Sequence, residues 1–587
     1  MRSTQIACVI LAVLLVAPSL TTGLSADDHI QQILLGGAAP ASRTLDGLEP
    51  RRFDLFNFAD GDPARNHKLM DDGVFPWWAD PHVRLAFFRP ISAATHILDQ
   101  ALFGRSPIAK HADNLFWFAV ALSTMALFYR RFFGADKKAL AGFAIFLYAL
   151  DDAHGPAVGW IANRNAMVAL ALAIPVLILH DRWRRDGTRW AASASAMLFL
   201  LALLAGESAI AVLGYLAAYA LVLDRASLRW RCFSLVPYLA VAACWRVGYR
   251  LLGYGASGSG VYLDPGSDPM GFLHVLPRRF IWLLDGQLAF PWSDFADGYQ
   301  FVSHRLSLTM FSIAIVTLIV LAVIFAPVLR RDRLARFFAL GMVLSALPSC
   351  ATFAADRLLW FVGIGAMGLI AQTIAYATKE GRALRIAAVF LIAIHVVLAP
   401  PLLALRSRSM DTVEIPLGRA NNSLPQSADI ADKTIVLVNP PSDLFAGYLA
   451  FTRASEGEPQ PRRIRWLSTG TDGVEIERTG PRTLRIRPQD GYLKALSETM
   501  LRSPRHPLLL GEKVELTGLT ITITALTPDS RPAEAQFDFD RPLEDPSLYW
   551  ARWDRLRYVP FVLPKVGERI TLGPIDLLDA LFNPSRS

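Results

Sequence analysis

The residues most able to do chemistry sit in short polar stretches between long apolar runs. Asp27-Asp28-His29 follows directly on an apolar run near residues 5–24. Adjacent carboxylates at a membrane boundary are costly to place there without a reason. One of them can act as general base on a hydroxyl, while the other holds a metal or the molecule bearing that hydroxyl. The plain alternative is a solvated loop start or a helix N-cap, a position aspartate favours. Further on, Phe88-Arg89-Pro90-Ile91 leads to His96, Asp99 and Leu102-Phe103-Gly104, with Trp77, Trp78 and Phe87 nearby. A guanidinium there suits bidentate contact with a phosphate or carboxylate. The aromatics suit the headgroup level of a bilayer. The alternative is an amphipathic helix in which Arg89 pairs with an aspartate.

A second polar loop reads Asp151-Asp152-Ala153-His154-Gly155-Pro156, then Trp160 and Asn163-Arg164-Asn165. Acid, imidazole and guanidinium share one short connection, and with the first-loop acids they can line one cavity. They can equally cap two helix ends. Glu207 in Ala205-Gly206-Glu207-Ser208 and the Asp356-Arg357 pair also lie in short breaks between apolar runs. Arg246 and Arg250, four residues apart, share a helix face and can meet a lipid phosphate or snorkel.

Other patterns exclude chemistries. Gly253-Tyr-Gly255-Ala-Ser-Gly258 fits the dinucleotide glycine fingerprint, but it follows an apolar helix rather than a strand. No P-loop, HExxH or GxSxG is present, which disfavours ATP-driven transport, zinc proteolysis and serine-hydrolase chemistry. Cys8, Cys232, Cys244 and Cys350 all lie in or beside apolar segments, without a disulfide or zinc spacing. Asn421-Asn422-Ser423 is a formal sequon, meaningful only in a glycosylating compartment.

The elements that must position these residues follow from composition. The chain has 587 residues, 53% hydrophobic and 19% charged, with mean hydropathy +0.33. Soluble domains carry about 25% charge, so a string of soluble domains is excluded, and so is disorder. The expected fold class is a polytopic α-helical membrane protein. Candidate spans, about eleven, run near 5–24, 113–133, 138–152, 163–180, 190–205, 208–223, 232–252, 306–329, 336–350, 358–377 and 385–405. The stretch 272–292 carries Arg278, Arg279 and Asp285, which points to an interfacial or re-entrant helix.

The net charge is +8, and the 59 basic residues comprise 50 arginines and nine lysines. Many of them occupy alternate short loops, so a nucleic-acid partner is not expected. The alternation puts the N-terminus in the cytoplasm and the 25–112 loop, the 253–305 loop and the C-terminal region outside. The first span is read as uncleaved, although Leu24-Ser25-Ala26 resembles a weak signal-peptide site. The arginine bias suggests a GC-rich bacterium, hence an inner membrane. Residues 1–406 are expected to form the membrane domain and 407–587 a β-rich or α+β outer domain. Strands are expected at Thr434–Val438, across the Thr479-Gly480-Pro481 hairpin, along Val514–Leu526 and at Arg569–Leu572.

The order of the motifs resembles the membrane half of the GT-C glycosyltransferase superfamily, most closely the O-mannosyltransferases that carry transmembrane spans and tetratricopeptide repeats. The resemblance rests on the acidic pair after the first span, Arg89-Pro90 with Leu102-Phe103-Gly104 before the second, and His154-Gly155-Pro156 with Trp160–Asn165 before the fourth. It continues through Gly206–Gly214, opening the sixth, and Ala355–Trp360, opening the tenth. It implies an inverting transferase that takes a sugar from a polyprenyl-phosphate donor at the outer face, with Asp27 or Asp28 as general base. The acceptor would be a glycan, lipid or protein, within a membrane-lipid environment. Substrate contacts are then expected from His29, Arg89, Asp151, Asp152, His154, Arg164, Glu207, Arg246, Arg250 and Arg357. No metal ligand set is implied, and a divalent cation is admitted without being indicated. Three departures stand out: His29 is not the residue the family's pattern leads one to expect, Gly206 replaces the family's lysine, and no tetratricopeptide repeats follow. The competing reading is a non-catalytic membrane scaffold acting through the C-terminal domain. A transporter is disfavoured because the acids cluster at outer helix ends and no repeat is present.

Overall fold

The computed structural model describes residues 3–36, 51–296, 304–378, 380–470 and 472–575. The chain divides into two compact units. The first comprises Met1–Ser25, Phe87–Gly253 and Asp264–Asp411; the second comprises Ala26–Ala86, Tyr254–Leu263 and Thr412–Ser587.

The first unit is helical. Among the described residues, seven helices are long and apolar enough to cross a membrane: Ser3–Thr21, Pro107–Phe133, Ile161–Asp186, Leu228–Leu251, Arg305–Arg331, Trp360–Ala377 and the segment from Arg382 to Ser423. Shorter apolar helices fill Lys138–Ala149, Trp190–Ala205 and Glu207–Leu223, and Arg333–Ser349 is also helical. A helix therefore stands at each of the eleven expected spans, and the chain is a multi-pass membrane protein.

Burial ranks these helices. Trp360–Ala377 is 89% buried over its apolar window, whereas Arg305–Arg331 is only 22% buried. The latter exposes Val316, Ile319, Val320 and Val323, an apolar face suited to lipid rather than water. Around the central helix, buried tyrosine hydroxyls find backbone acceptors. Tyr148 donates to the Trp360 carbonyl at 2.8 Å, Tyr215 to Phe361 at 2.7 Å and Tyr129 to Ile364 at 2.7 Å. These bonds satisfy groups that hydrocarbon cannot.

The basic loops gather into ion pairs. Arg131 reaches Asp181 and Asp186, Lys137 reaches Asp332, Arg184 reaches Asp224 and Arg331 reaches Glu380. The opposite helix ends carry the polar loops that hold Asp151, Glu207 and Asp356. The 272–292 stretch is a helix, Pro269–Leu288, whose Arg279, Trp282 and Asp285 are buried. Arg279 donates to the Cys350 carbonyl at 3.0 Å, so its charge faces protein.

The second unit is α+β. Strands β1 (Asn57–Asp60), β2 (Arg84–Ala86) and β3 (Gly255–Ser257) form one antiparallel sheet in that order. β4 (Thr434–Leu437) and β5 (Arg463–Trp466) are parallel and joined through the helix Asp443–Glu456. β11 (Leu548–Asp554) pairs with β4 in parallel and with β12 (Arg557–Pro560) as a hairpin. The remaining sheet is antiparallel, with order β13-β6-β7-β10-β9-β8. Its strands are β6 (Val474–Arg478), β7 (Thr483–Pro488), β8 (Lys513–Leu516), β9 (Leu519–Leu526), β10 (Pro532–Phe539) and β13 (Arg569–Leu572).

Three details differ from the sequence reading. The single run Val514–Leu526 is two strands, broken at Thr517-Gly518, where Gly518 takes φ +78°. Trp77 and Trp78 are core residues of the second unit rather than a headgroup belt. They pack on Trp466, Tyr492 and Phe537, and their indoles donate to the Leu467 and Glu498 carbonyls. Finally, residues 26–86 and 254–263 fold with the C-terminal region rather than with the helices they interrupt. The β1–β2–β3 ladder joins pieces of both loops, and the physical reason they go with the C-terminal region is that Asp71 pairs with Arg463 and Arg465, Trp77 and Trp78 pack on Tyr492 and Trp466, and the Gly260 N–H donates to the Thr499 carbonyl.

Candidate functional site

In the helical unit, three polar loops converge on one arginine. Arg406 lies in the last helical turn of Ala399–Arg406 and is 6% exposed. Its guanidinium meets Asp152 at 2.7 Å, Asp294 at 2.6 Å and Asp356 at 2.8 Å. Trp292 lies against it, 4.3 Å from ring centroid to guanidinium carbon. Asp356 also accepts from the Ser293 backbone N–H at 2.8 Å and from the Ser293 hydroxyl. The Asp356 N–H donates to Asp294 at 3.2 Å.

Glycines permit this approach. A Cβ on Gly159 would lie 2.0 Å from the Ser407 carbonyl oxygen, and one on Gly286 would lie 2.7 Å from the Ser293 nitrogen. The 151–164 loop can therefore seat on the Arg406-Ser407 backbone only with glycine at 159.

Asp151 stands beside this cluster, accepting from the Ala153 N–H at 3.2 Å and from the Gln287 amide at 2.8 Å. Burial pushes the Asp151 carboxyl up, and neighbouring Asp152 pushes it further. Burial likewise raises Asp152 and Asp294, against the pull of Arg406. Three carboxylates share the one Arg406 guanidinium, with Asp151 beside them, so acid is in excess, and burial holds Asp151, Asp152 and Asp294 above the usual carboxylate range. His154 is buried and stacks on Trp360 at 4.1 Å. Burial pulls its imidazole down to about 3, so it is neutral at physiological pH.

The arginines named from the sequence divide by how they are engaged. Arg89 binds Glu207 at 2.7 Å, with the guanidinium over Phe87, and Tyr249 donates to the same Glu207 at 3.1 Å. Arg164 is fully buried between Asp99 at 2.6 Å and Asp113 at 2.8 Å, and donates to Asn114 at 2.7 Å. Arg246 reaches Asp264 at 2.5 Å, and Arg250 donates to the Gly266 carbonyl at 2.9 Å. Both hold the 264–266 turn. Arg357 differs. Its guanidinium lies 5.2 Å from the ring centroids of both Trp160 and Phe353. Among the described residues it makes no ion pair.

In the second unit, Asp27 and Asp28 open the helix Asp27–Leu34, the helix-start placement weighed from sequence. Asp27 accepts from the Tyr448 hydroxyl at 2.5 Å, and Asp28 is buried. His29 is wholly buried, with Nδ1 2.6 Å from the Ser455 hydroxyl and Nε2 3.4 Å from Glu414. His29, Glu414 and Glu456 bring potential ligand atoms within 4.8 Å of one another.

Arg406, Asp294, Trp292, Gln287, Glu414 and Tyr448 were not singled out from the sequence. Arg406 is 254 residues from Asp152 and 112 from Asp294, a separation that no local pattern reports. The one available signal was an arginine closing an apolar run.

No family model and no curated relative matches the chain. Solved structures do resemble it. An Archaeoglobus fulgidus oligosaccharyltransferase, crystallised with Zn and sulfate, aligns over 79% of this chain and 62% of its own, at 12% identity and TM-score 0.40. ArnT from Cupriavidus metallidurans, bound to undecaprenyl phosphate, aligns over 77% of this chain and 89% of its own, at 13% identity and TM-score 0.34. The mycobacterial arabinofuranosyltransferase AftD aligns over 92% of this chain and 41% of its own, at 13% identity and TM-score 0.33. All three are glycosyltransferases of the GT-C type. This chain spans about six-tenths of the length of the oligosaccharyltransferase it matches. Likenesses this distant assign no residue a role.

Proposed function

We propose that this chain is a membrane glycosyltransferase that moves a sugar from a polyprenyl-phosphate donor to a glycan, lipid or protein acceptor at the extracytoplasmic face, with inversion. The observation that carries the reading is the unspent Arg357 guanidinium, held by Trp160 and Phe353 within the polar loops that the sequence resemblance singles out. A phosphate needs such donors, and stacked arginine supplies them without spending its N–H groups. In this reaction the acceptor oxygen attacks the anomeric carbon as the bond to the lipid phosphate breaks. The phosphate leaves on its lipid, and the acceptor proton passes to Asp27 or Asp28. Arg357 offsets the charge that grows on the leaving phosphate. Asp151 and Asp152 belong to the acid-rich pocket that would order sugar hydroxyls, with His154 as a neutral, stacked wall. The helices lie in a bacterial inner membrane, with the N-terminus cytoplasmic and the second unit outside.

The test is transfer of labelled sugar from a panel of polyprenyl-phosphate sugars in proteoliposomes supplied with acceptor extract. Wild type is compared with Asp27→Asn, Asp28→Asn, their double variant and Arg357→Gln. Donor-dependent transfer is expected. Loss of the base should cost about 10²–10⁴ in rate, and Arg357→Gln should weaken donor use without unfolding the protein. No transfer from any donor by folded wild type rejects the reading in favour of the scaffold.

A further inference from the structure

We infer that the groove between the helices His304–Arg331 and Arg333–Ser349 binds one anionic glycerophospholipid, with its phosphate on Arg330 and Arg336 and its acyl chains along the apolar walls. The two helices meet at Asp332, in the helical unit. The groove has a volume of about 660 Å³, the size of a small-molecule site, and its walls include Ala326, Leu329, Leu340 and Val343 below the two arginines. The sequence lays out two matching stripes. Ile319, Val323, Ala326 and Arg330 recur at intervals of four, three and four residues, and so do Arg336, Leu340, Val343 and Leu347. That spacing puts each set on one helix face. Ile319, Val323 and Leu347 are exposed, so each stripe runs from an arginine at the turn into open apolar surface. Each covers about 16 Å of helix at roughly 1.5 Å per residue. One leaflet, half of a hydrocarbon core about 30 Å thick, is about 15 Å deep.

The acid near this turn is already committed. Asp332 caps the second helix, accepting from the Leu334 N–H at 2.7 Å, and it also accepts from Lys137 at 3.0 Å. Glu380 takes Arg331, and Arg333 donates to the Val222 carbonyl. Arg336 donates through Nε to the Leu329 carbonyl at 2.7 Å and through a terminal nitrogen to the Arg330 carbonyl at 2.8 Å. These bonds cap the last carbonyls of the first helix and hold the guanidinium at the rim, with the rest of its five donors available. Among the described residues, neither Arg330 nor Arg336 pairs with a carboxylate. Two cations side by side repel until an anion comes between them. Exposed arginines can snorkel into water without a fixed partner, but water does not suit the apolar walls below them. Basic pockets between membrane helices take anionic headgroups. A phosphodiester supplies the anion, and two acyl chains supply the fill, one for each stripe. A zwitterionic lipid brings its own cation and forfeits the charge gain. The lipid-phosphate donor proposed above belongs elsewhere: Arg357 lies beyond the far end of Arg333–Ser349, about 25 Å along that helix. The inference rests on the membrane fold and not on sugar transfer.

The experiment is lipid binding by the full-length protein in detergent, stripped of lipid and followed by native mass spectrometry. The probes are dioleoyl-phosphatidylglycerol and dioleoyl-phosphatidylcholine. One phosphatidylglycerol per chain is expected, held at least about tenfold more tightly than phosphatidylcholine, since each arginine near an anionic headgroup contributes about fivefold. The double variant Arg330→Gln/Arg336→Gln should lower that preference at least about fivefold. Arg229→Gln, at the start of the helix Leu228–Leu251, should leave it unchanged. Arg336→Gln removes a helix cap, so Arg330→Gln alone carries the test should the double variant fail to fold. Ala326→Trp fills the groove without changing its charge and should release the lipid while helix content, read by circular dichroism, stays the same. Equal retention of the two lipids overturns the site. So does a preference that the arginine variants keep, or retention that Ala326→Trp keeps, since the lipid is then held by surface charge alone. Undecaprenyl phosphate displacing phosphatidylglycerol at equal concentration also overturns it, and gives the groove to a polyprenyl lipid.

Discussion

Replacing Arg406 with methionine should unmask the acid it neutralises. The guanidinium makes contacts of 2.6–2.8 Å with three carboxylates, and methionine keeps most of the volume while removing every donor. Hydrogen bonds to charged groups contribute about 1.5–3 kcal/mol each, but three on one cation do not add. Removing one partner of a buried ion pair costs about 3–5 kcal/mol. The stranded carboxyls also have an escape, since they can take up protons. Burial already raises Asp152 and Asp294, and Arg406 is the group that opposes the rise. Without it, the folded variant binds more protons than the unfolded chain, so its stability falls as pH rises. The expected loss is therefore about 4 kcal/mol at pH 8 and clearly smaller at pH 5, since protonation of one raised carboxyl recovers up to about 1.4 kcal/mol per pH unit of fall. Denaturant unfolding in detergent, followed by tryptophan fluorescence at both pH values, measures this. Trp292, against the guanidinium, reports locally. An Asp152→Asn/Arg406→Met cycle should show coupling of about 1–3 kcal/mol. A loss below 1 kcal/mol, or one equal at both pH values, would refute the account of a buried, acid-loaded cluster.

Two other perturbations follow from close approach and burial. Gly159→Ala places a Cβ 2.0 Å from the Ser407 carbonyl and should cost about 1–3 kcal/mol in the same unfolding assay, whereas Gly142→Ala, whose Cβ meets open space, should be neutral or mildly stabilising. In the second unit, burial pushes the Glu498 carboxyl to about 7 from its ordinary 4.5. Protons are bound in the folded state first, so stability falls as pH rises from 4.5 through 7, by up to about 3 kcal/mol. Glu498→Gln should flatten that slope, read as the thermal midpoint of the full chain against pH, and an unchanged slope counts against the burial argument.

How much of this was legible in the sequence depended on distance along the chain. Apolar runs announce spanning helices because bilayer thickness sets their length, and a helix stands at each. The hairpin at Thr479-Gly480-Pro481 was legible because β6 and β7 are neighbours in sequence. Val514–Leu526 misled because Thr517-Gly518 preserves the alternation while the left-handed Gly518 turns the chain. Trp77 and Trp78 misled for another reason: an aromatic pair near a membrane span reads as a headgroup belt, and only tertiary packing against Tyr492 and Trp466 shows a core. Of the polar residues, Asp151, Asp152, His154 and Arg357 were legible as polar loop residues between apolar runs. Arg406 and Asp294 were not, because nothing local to either one points to the other.

On the proposed transferase reading, the engaged arginines narrow where a donor phosphate would sit in the helical unit. Arg89 faces Glu207, Arg164 faces Asp99 and Asp113, Arg246 faces Asp264, and Arg406 faces three carboxylates. A second anion brought to any of them must compete with a carboxylate already in place, and the gain is the difference between two similar bonds. Arg357 is held by ring faces instead, an interaction of about 0.5–2 kcal/mol that leaves the guanidinium edge unspent. Full charge-assisted bonds to a phosphate are then additions rather than exchanges. The same logic separates the acids: Asp152, Asp294 and Asp356 serve Arg406, whereas Asp151 is held by neutral donors, Gln287 and the Ala153 N–H. Of the four, Asp151 is therefore the carboxyl whose proton can change hands without breaking an ion pair.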